Sequence, residues 1–257
     1  MRRNLRLLRV AWLLNVKQLT RSSFDGILAI LWPLFFATVA FFMFRQGGDP
    51  KALVYASLGA AVMGIWTATS VSAGSALQRE RWFGTLELLV AAPAHFSLVL
   101  LPLAFATSAI GIYCMTTTLL WGRFVFGIPL HLVHPLLMAA AIPATILSIG
   151  ALGFLMAVSF ARYRTAWALG SMTEYPIWLV CGFLVPLALL PAWVRPVSWA
   201  LAPTWGMRAI RESSTGGTPL PDIGMCFLLG SVYVALGILL IESVLRSARR
   251  SASLSLT

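Results

Sequence analysis

The chain reads as long apolar runs separated by short polar interruptions. Six runs fall at about Gly26–Phe44, Ala52–Leu77, Ser97–Gly122, Pro135–Ala161, Ala166–Leu190 and Ile223–Leu245. Each is long enough to cross the roughly 30 Å hydrocarbon layer as a helix, which satisfies its own backbone where water cannot. The pattern predicts an all-α polytopic membrane protein: one transmembrane domain whose six-helix bundle spans residues 26–245. Ahead of it, residues 1–22 have a different rhythm. At 100° per residue Leu5, Leu8, Trp12, Val16 and Leu19 share one face, and Arg3, Arg6, Lys17 and Arg21 gather opposite. Leu7, Val10 and Leu14 blur the division. This is the signature of an amphipathic helix in the membrane interface. It is not that of a cleavable signal, because its apolar run starts late and no small-residue cleavage site follows.

Two of the connections carry structure of their own. Residues 78–96, beginning QRERWFGTLELLVAAP, separate the second and third spans. Arg79, Glu80 and Arg81 end one apolar run and Gly84 breaks the backbone. Thr85 stands at a helix N-cap, with Glu87 in the first turn where the dipole favours an acid. Leu86, Leu88, Leu89 and Val90 follow, and Pro93 stops the helix. The result is a short amphipathic helix on the membrane face, shaped either to receive a push from a partner or simply to rest on lipid. The second connection, residues 191–222, is too long for a turn and too apolar for a soluble domain. Trp193, Trp199 and Trp205 recur every six residues, interrupted by Pro191, Pro196 and Pro203. Tryptophan favours the headgroup level, so this segment is expected to form a re-entrant or interfacial hairpin, with Arg195, Arg208 and Arg211 as headgroup anchors.

Composition and charge narrow the class. Of 257 residues, 59% are hydrophobic and 11% charged, against about a quarter charged in soluble domains. The net charge of +11 does not point to nucleic acid, because the basic residues lie at the edges of apolar runs, where lipid headgroups are met. With both termini on one side, 13 of the 19 Lys and Arg residues fall on that side. The positive-inside rule then places the N-terminal arm, residues 78–96 and the tail 246–257 in the cytoplasm, and the 191–222 hairpin outside.

Candidate chemistry is sparse. Glu174 lies inside the fifth run, where a central acid costs roughly 2.5–3.5 kcal/mol. It therefore faces away from lipid, either lining a polar path or pairing with an arginine, Arg162 or Arg164, or a hydroxyl. Thr67 and Ser70 of the second run offer hydroxyls to the same path, although packing within the bundle accounts for them equally well. Glu242 suits a pair with Arg246 one turn on. His131 and His134 have metal-compatible spacing but no neighbouring carboxylate or cysteine, and Cys114, Cys181 and Cys226 are isolated within spans. No metal site is expected. A phosphate-cradling GxxxxGK[ST] loop is excluded, because the only lysines are Lys17 and Lys51 in unsuitable contexts.

The stretch RERWFGTLELLVAAP resembles the cytoplasmic ER-x-x-GTLE-LL-x-x-P signature of the type-2 ABC transporter permeases, the ABC-2 superfamily of exporter membrane subunits. The stretch LPAWVRPVSWALAPTWGMRAIRES resembles the outer segment of that family, ending at Arg211, with Ala202 where an Asn usually precedes Pro203. The resemblance covers the whole chain. It implies that Arg79, Glu80, Arg81, Gly84, Thr85, Leu86, Glu87, Leu88 and Pro93 form a coupling helix seated on a separate cytoplasmic ABC ATPase, which would bind the ATP and Mg; this chain would bind no cofactor. It implies a second permease copy, identical or related, and location in the plasma (bacterial inner) membrane. The GTLE-bearing branch is similar to drug-efflux and lipo-oligosaccharide exporters, so the expected substrate is a hydrophobic or amphiphilic compound: a drug, an antibiotic or a lipid-linked molecule. The competing classes are a secondary carrier, which usually shows two related halves and more intramembrane ionisable residues, and an intramembrane enzyme, which needs a nucleophile–base or metal set.

Overall fold

The computed structural model describes residues 9–14, 16–17, 23–45, 50–82, 97–128, 133–160 and 166–251. Residues 9–14 and 16–17 are helical, with Val10, Trp12, Leu13 and Leu14 exposed. Eight further helices follow: α1 (Ser23–Arg45), α2 (Pro50–Trp82), α3 (Ser97–Val125), α4 (Pro135–Phe160), α5 (Ala166–Val180), α6 (Val194–Trp199), α7 (Ala202–Thr215) and α8 (Pro219–Ser251). A single 3-10 turn, Leu187–Leu189, lies between α5 and α6. There is no strand among the described residues. The protein is an all-helical, multi-pass membrane protein.

Among the described residues four helices contain stretches long and apolar enough to span a bilayer: Ala52–Thr69, Ala104–Val125, Pro135–Ser159 and Pro219–Ile241. A shorter apolar stretch, Leu34–Phe44, falls in α1. The middle of the bundle is held by α2 and α4. α2 packs against α1, α3, α4 and α5, and α4 carries α3, α7 and α8. Accordingly 72% of the α4 stretch is buried but only 28% of that in α8, which lies at the edge. Trp66, Ile149, Phe183, Met207 and Ile210 belong to the main core. A second cluster, with Phe41 and Ile128 at its centre, joins α1 to the segment after α3. Large side chains such as Phe35, Phe42, Leu228, Val232 and Leu239 remain exposed; such faces suit acyl chains, since lipid is as apolar as leucine.

The fifth run, expected to be helical to Leu190, is helical only to Val180. The cause is local. Gly182 takes the left-handed conformation, with φ of 72°. Its N–H donates to Leu179 O at 3.1 Å, and that of Phe183 donates to Trp178 O at 3.1 Å. These are the paired bonds of a glycine-terminated helix end, with Phe183 and Trp178 supplying the apolar contact that accompanies it. Fifteen residues of helix reach about 22 Å, short of the roughly 30 Å hydrocarbon layer, and beyond Val180 the run to Leu190 holds only the 3-10 turn Leu187–Leu189.

Candidate functional site

Helices α2 and α5 meet along one seam, and the polar groups placed there are few. Near its centre the carboxylate of Glu174, buried with 8% exposure, accepts a hydrogen bond from the Thr67 hydroxyl. Other hydroxyls of α2 turn back onto their own helix: Ser57 donates to Val54 O at 2.9 Å and Thr69 to Ile65 O at 2.8 Å. Thr67 alone among these three reaches across to α5. The structure thus brings together two of the residues singled out for a polar path, and the acid meets a hydroxyl. Arg162 and Arg164 lie outside the described residues, and the side chain of Ser70 is not described.

Toward the other end of the seam the α5 terminus leaves carbonyls that its own helix cannot use. A helix end in an apolar setting needs outside donors, and three different elements supply them. Ser198 of α6 donates to Val180 O at 2.6 Å, Tyr55 of α2 to Gly182 O at 2.9 Å, and Arg211 of α7 to Phe183 O at 3.0 Å. The approach is tight because α2 presents Gly59 here. A Cβ at that position would overlap the Phe183 carbonyl oxygen and sit 2.8 Å from its carbon. The contacts of Thr67 with Glu174 and of Tyr55 with Gly182 set α2 and α5 antiparallel.

Arg211 is the most heavily used side chain of this joint. Its guanidinium carbon stands 3.2 Å from the centroid of the Tyr55 ring, a cation–π contact. Burial draws its pKa down, to about 9, with Tyr55 acting in the opposite direction, so it stays charged at neutral pH. Arg211 was expected at the headgroups; instead it turns inward, and its guanidinium donates to the Phe183 carbonyl.

The matching family model is that of the ABC-2 type transporter, over residues 6–214. The chain belongs to the ABC-2 type transporter family. No curated protein matches it. In family terms this is a membrane subunit with a transport role, and the elements just described fall inside the matched region.

The segment from Pro191 to Thr215 holds the remaining residues noted in the family's outer motif. Trp193 and Trp199 are exposed, at 75% and 57%, while Pro203 is buried in the first turn of α7. The Trp205 indole donates to Trp199 O at 2.8 Å and so ties α7 to α6. Arg208 lies 5.0 Å from the Trp205 ring, 3.7 Å from Glu212 and 3.5 Å from buried Asp222. α7 has no side-chain cap of its own: its N-cap residue is Leu201, and Ala202 is its first helical residue. The substitute comes from α8. The Tyr233 hydroxyl accepts from Ala202 N–H at 3.1 Å and donates to Ala200 O.

Tyr55, Gly182, Ser198 and Tyr233 are absent from the sequence-based set. The available signal was weak: a tyrosine within an apolar span must find a partner for its hydroxyl, but which partner is a matter of packing. Arg79, Glu80 and Arg81 lie in the last turns of α2, with side chains not described. Gly84, Thr85, Leu86, Glu87, Leu88 and Pro93 lie outside the described residues. Among the described residues no group of His, Cys, Asp and Glu is placed to hold a metal ion.

Proposed function

We propose that this ABC-2 membrane subunit is the permease half of an ATP-driven exporter of hydrophobic or amphiphilic compounds, such as a drug, an antibiotic or a lipid-linked molecule. The observation that carries the reading is the family match over residues 6–214 in a chain whose two lysines leave no phosphate-binding loop. ATP and Mg then belong to a separate cytoplasmic ATPase, and permeases of this family work with such a subunit. Residues 78–96 are its seat, with Thr85 to Leu88 as the helix that takes the push. Two permease copies, identical or related, pair in the bacterial inner membrane, with both termini and the 78–96 element cytoplasmic, as the distribution of basic residues favours.

The substrate path runs beside the α2–α5 seam, where Thr67, Ser70 and Glu174 supply polarity among apolar walls. An intramembrane acid is worth its cost when it serves a path. In the described structure it is held by one hydroxyl, leaving acceptor capacity for a substrate group. The test is reconstitution of the chain with the ATPase of a neighbouring reading frame, followed by ATPase stimulation across a panel of amphiphiles and glycolipids. Stimulation by one class, with transport of that class lowered by Glu174→Gln, supports the reading. Solute movement by the purified chain with no second polypeptide overturns it in favour of a secondary carrier. Crosslinks from Thr85→Cys or Glu87→Cys that never reach the ATPase remove the coupling role.

A further inference from the structure

We propose that the Arg211 joint is a latch between two parts of the permease, closed in the described structure and opened during the transport cycle. The proposal rests on the exporter reading above for its cycle, and on the following geometry for the latch itself.

α7 rests chiefly on α4 and α8, whereas α5 rests chiefly on α2. The area shared by α7 with α2 is small by comparison. Across that narrow meeting place Arg211 makes both specific contacts, to the Tyr55 ring of α2 and to the Phe183 carbonyl beyond α5. At this end of the bundle Arg211 thus links α7, which rests on α4 and α8, to the α2–α5 pair by polar contacts, beside the direct packing of α2 on α4 and the apolar core they share.

The tie is unlike a permanent buried ion pair. Arg208, one turn earlier on α7, has two acids, Glu212 and Asp222. Arg211 has no carboxylate within 4 Å among the described residues, and its enclosed Nε has no hydrogen-bond partner there. A buried cation held by a neutral carbonyl and an aromatic face recovers only part of what it loses in leaving water. Opening would hydrate both the guanidinium and the Phe183 carbonyl, which offsets the broken contacts and brings the two states close in free energy. Interfaces of this kind have two arrangements rather than a continuum. The tight backbone approach at Gly59 gives the closed state its definition.

The test uses the chain with its ATPase partner in nanodiscs, so that both faces are accessible, and a hydrophilic maleimide. Ser214 is buried and one turn beyond Arg211 on the same side of α7, whereas Thr215 is exposed. The three native cysteines are buried, and the parent chain measures their background. In the resting complex, Ser214→Cys is expected to label far more slowly than Thr215→Cys. Adding Arg211→Gln raises that rate about tenfold, equivalent to about 1.4 kcal/mol. Tyr55→Leu does the same, and the two together exceed either alone by little, as coupled sites do. Arg211→Lys, which keeps charge and a donor, restores part of the slow rate. With Arg211 and Tyr55 intact, trapping with ATP and vanadate also speeds labelling. If ATP is hydrolysed yet labelling of Ser214→Cys stays slow, the latch does not open and the proposal is wrong. An unchanged rate in Arg211→Gln, for protein with a parental gel-filtration profile, overturns it equally. If no ATP is hydrolysed by any complex, the exporter reading has failed; acceleration in Arg211→Gln and Tyr55→Leu then still supports the joint as a closure, and its absence overturns it.

Discussion

Gly59→Ala places one methyl group at the tightest contact of the α2–α5 seam. The added carbon would overlap the Phe183 carbonyl oxygen, sit 2.8 Å from the carbonyl carbon and lie 3.4 Å from an Arg211 nitrogen. Backbone is the obstacle, so no side-chain rotation relieves the clash; α2 and the α5 terminus must separate. Overpacking of this kind costs about 1–3 kcal/mol. Separation also stretches the bonds from Tyr55 to Gly182 O and from Arg211 to Phe183 O, each worth about 0.6 kcal/mol within a membrane protein. The sum is about 2–4 kcal/mol of destabilisation. Gly224→Ala is the matched control: its Cβ meets nothing within 4 Å, and removing a glycine from a helix interior gains up to about 1 kcal/mol. Reversible unfolding in mixed micelles, titrated with SDS, measures both. If Gly59→Ala unfolds at the parental SDS fraction, the close approach and the joint built on it are refuted.

Three further outcomes follow from single contacts. Tyr233→Phe removes the hydroxyl that serves both Ala202 N–H and Ala200 O; it should cost about 1–3 kcal/mol and speed amide exchange at the start of α7 while leaving α1 unchanged. Gly182→Ala puts a side chain at φ of 72°, at a cost of about 1–2 kcal/mol, and Gly182→Asn should be milder because Asn tolerates that region; equal effects would argue against the left-handed helix end. Thr67→Val strands the Glu174 carboxyl, and a double-mutant cycle with Glu174→Gln should show coupling of about 0.5–3 kcal/mol. Additive effects there would mean that the two side chains do not meet.

The family and the membrane class were legible in the chain because both rest on local information. An apolar run of sufficient length has few choices in lipid, and the RERWFGTLELL and LPAW stretches are contiguous. The candidate site was legible in part. Glu174 announced itself as an acid in an apolar run, and Thr67 as a hydroxyl in another, but their pairing spans 107 residues and no local pattern encodes it. The residues of the 78–96 element lie largely outside the described structure, so their role rests on the sequence.

Hydropathy sums transfer free energies along one segment, and that sum decided which stretches are helices suited to a bilayer. It could not see where α5 ends, because Gly182 and the residues after it are apolar enough to extend the run to Leu190. Folding decided that end, through carbonyls that Ser198, Tyr55 and Arg211 happen to reach. It also turned Arg211 inward and brought the Tyr233 hydroxyl to the start of α7, where it serves Ala202 N–H and Ala200 O. The physical reason is the same in each case: a polar group within lipid must find its partner on another helix, and only packing determines which helix is near.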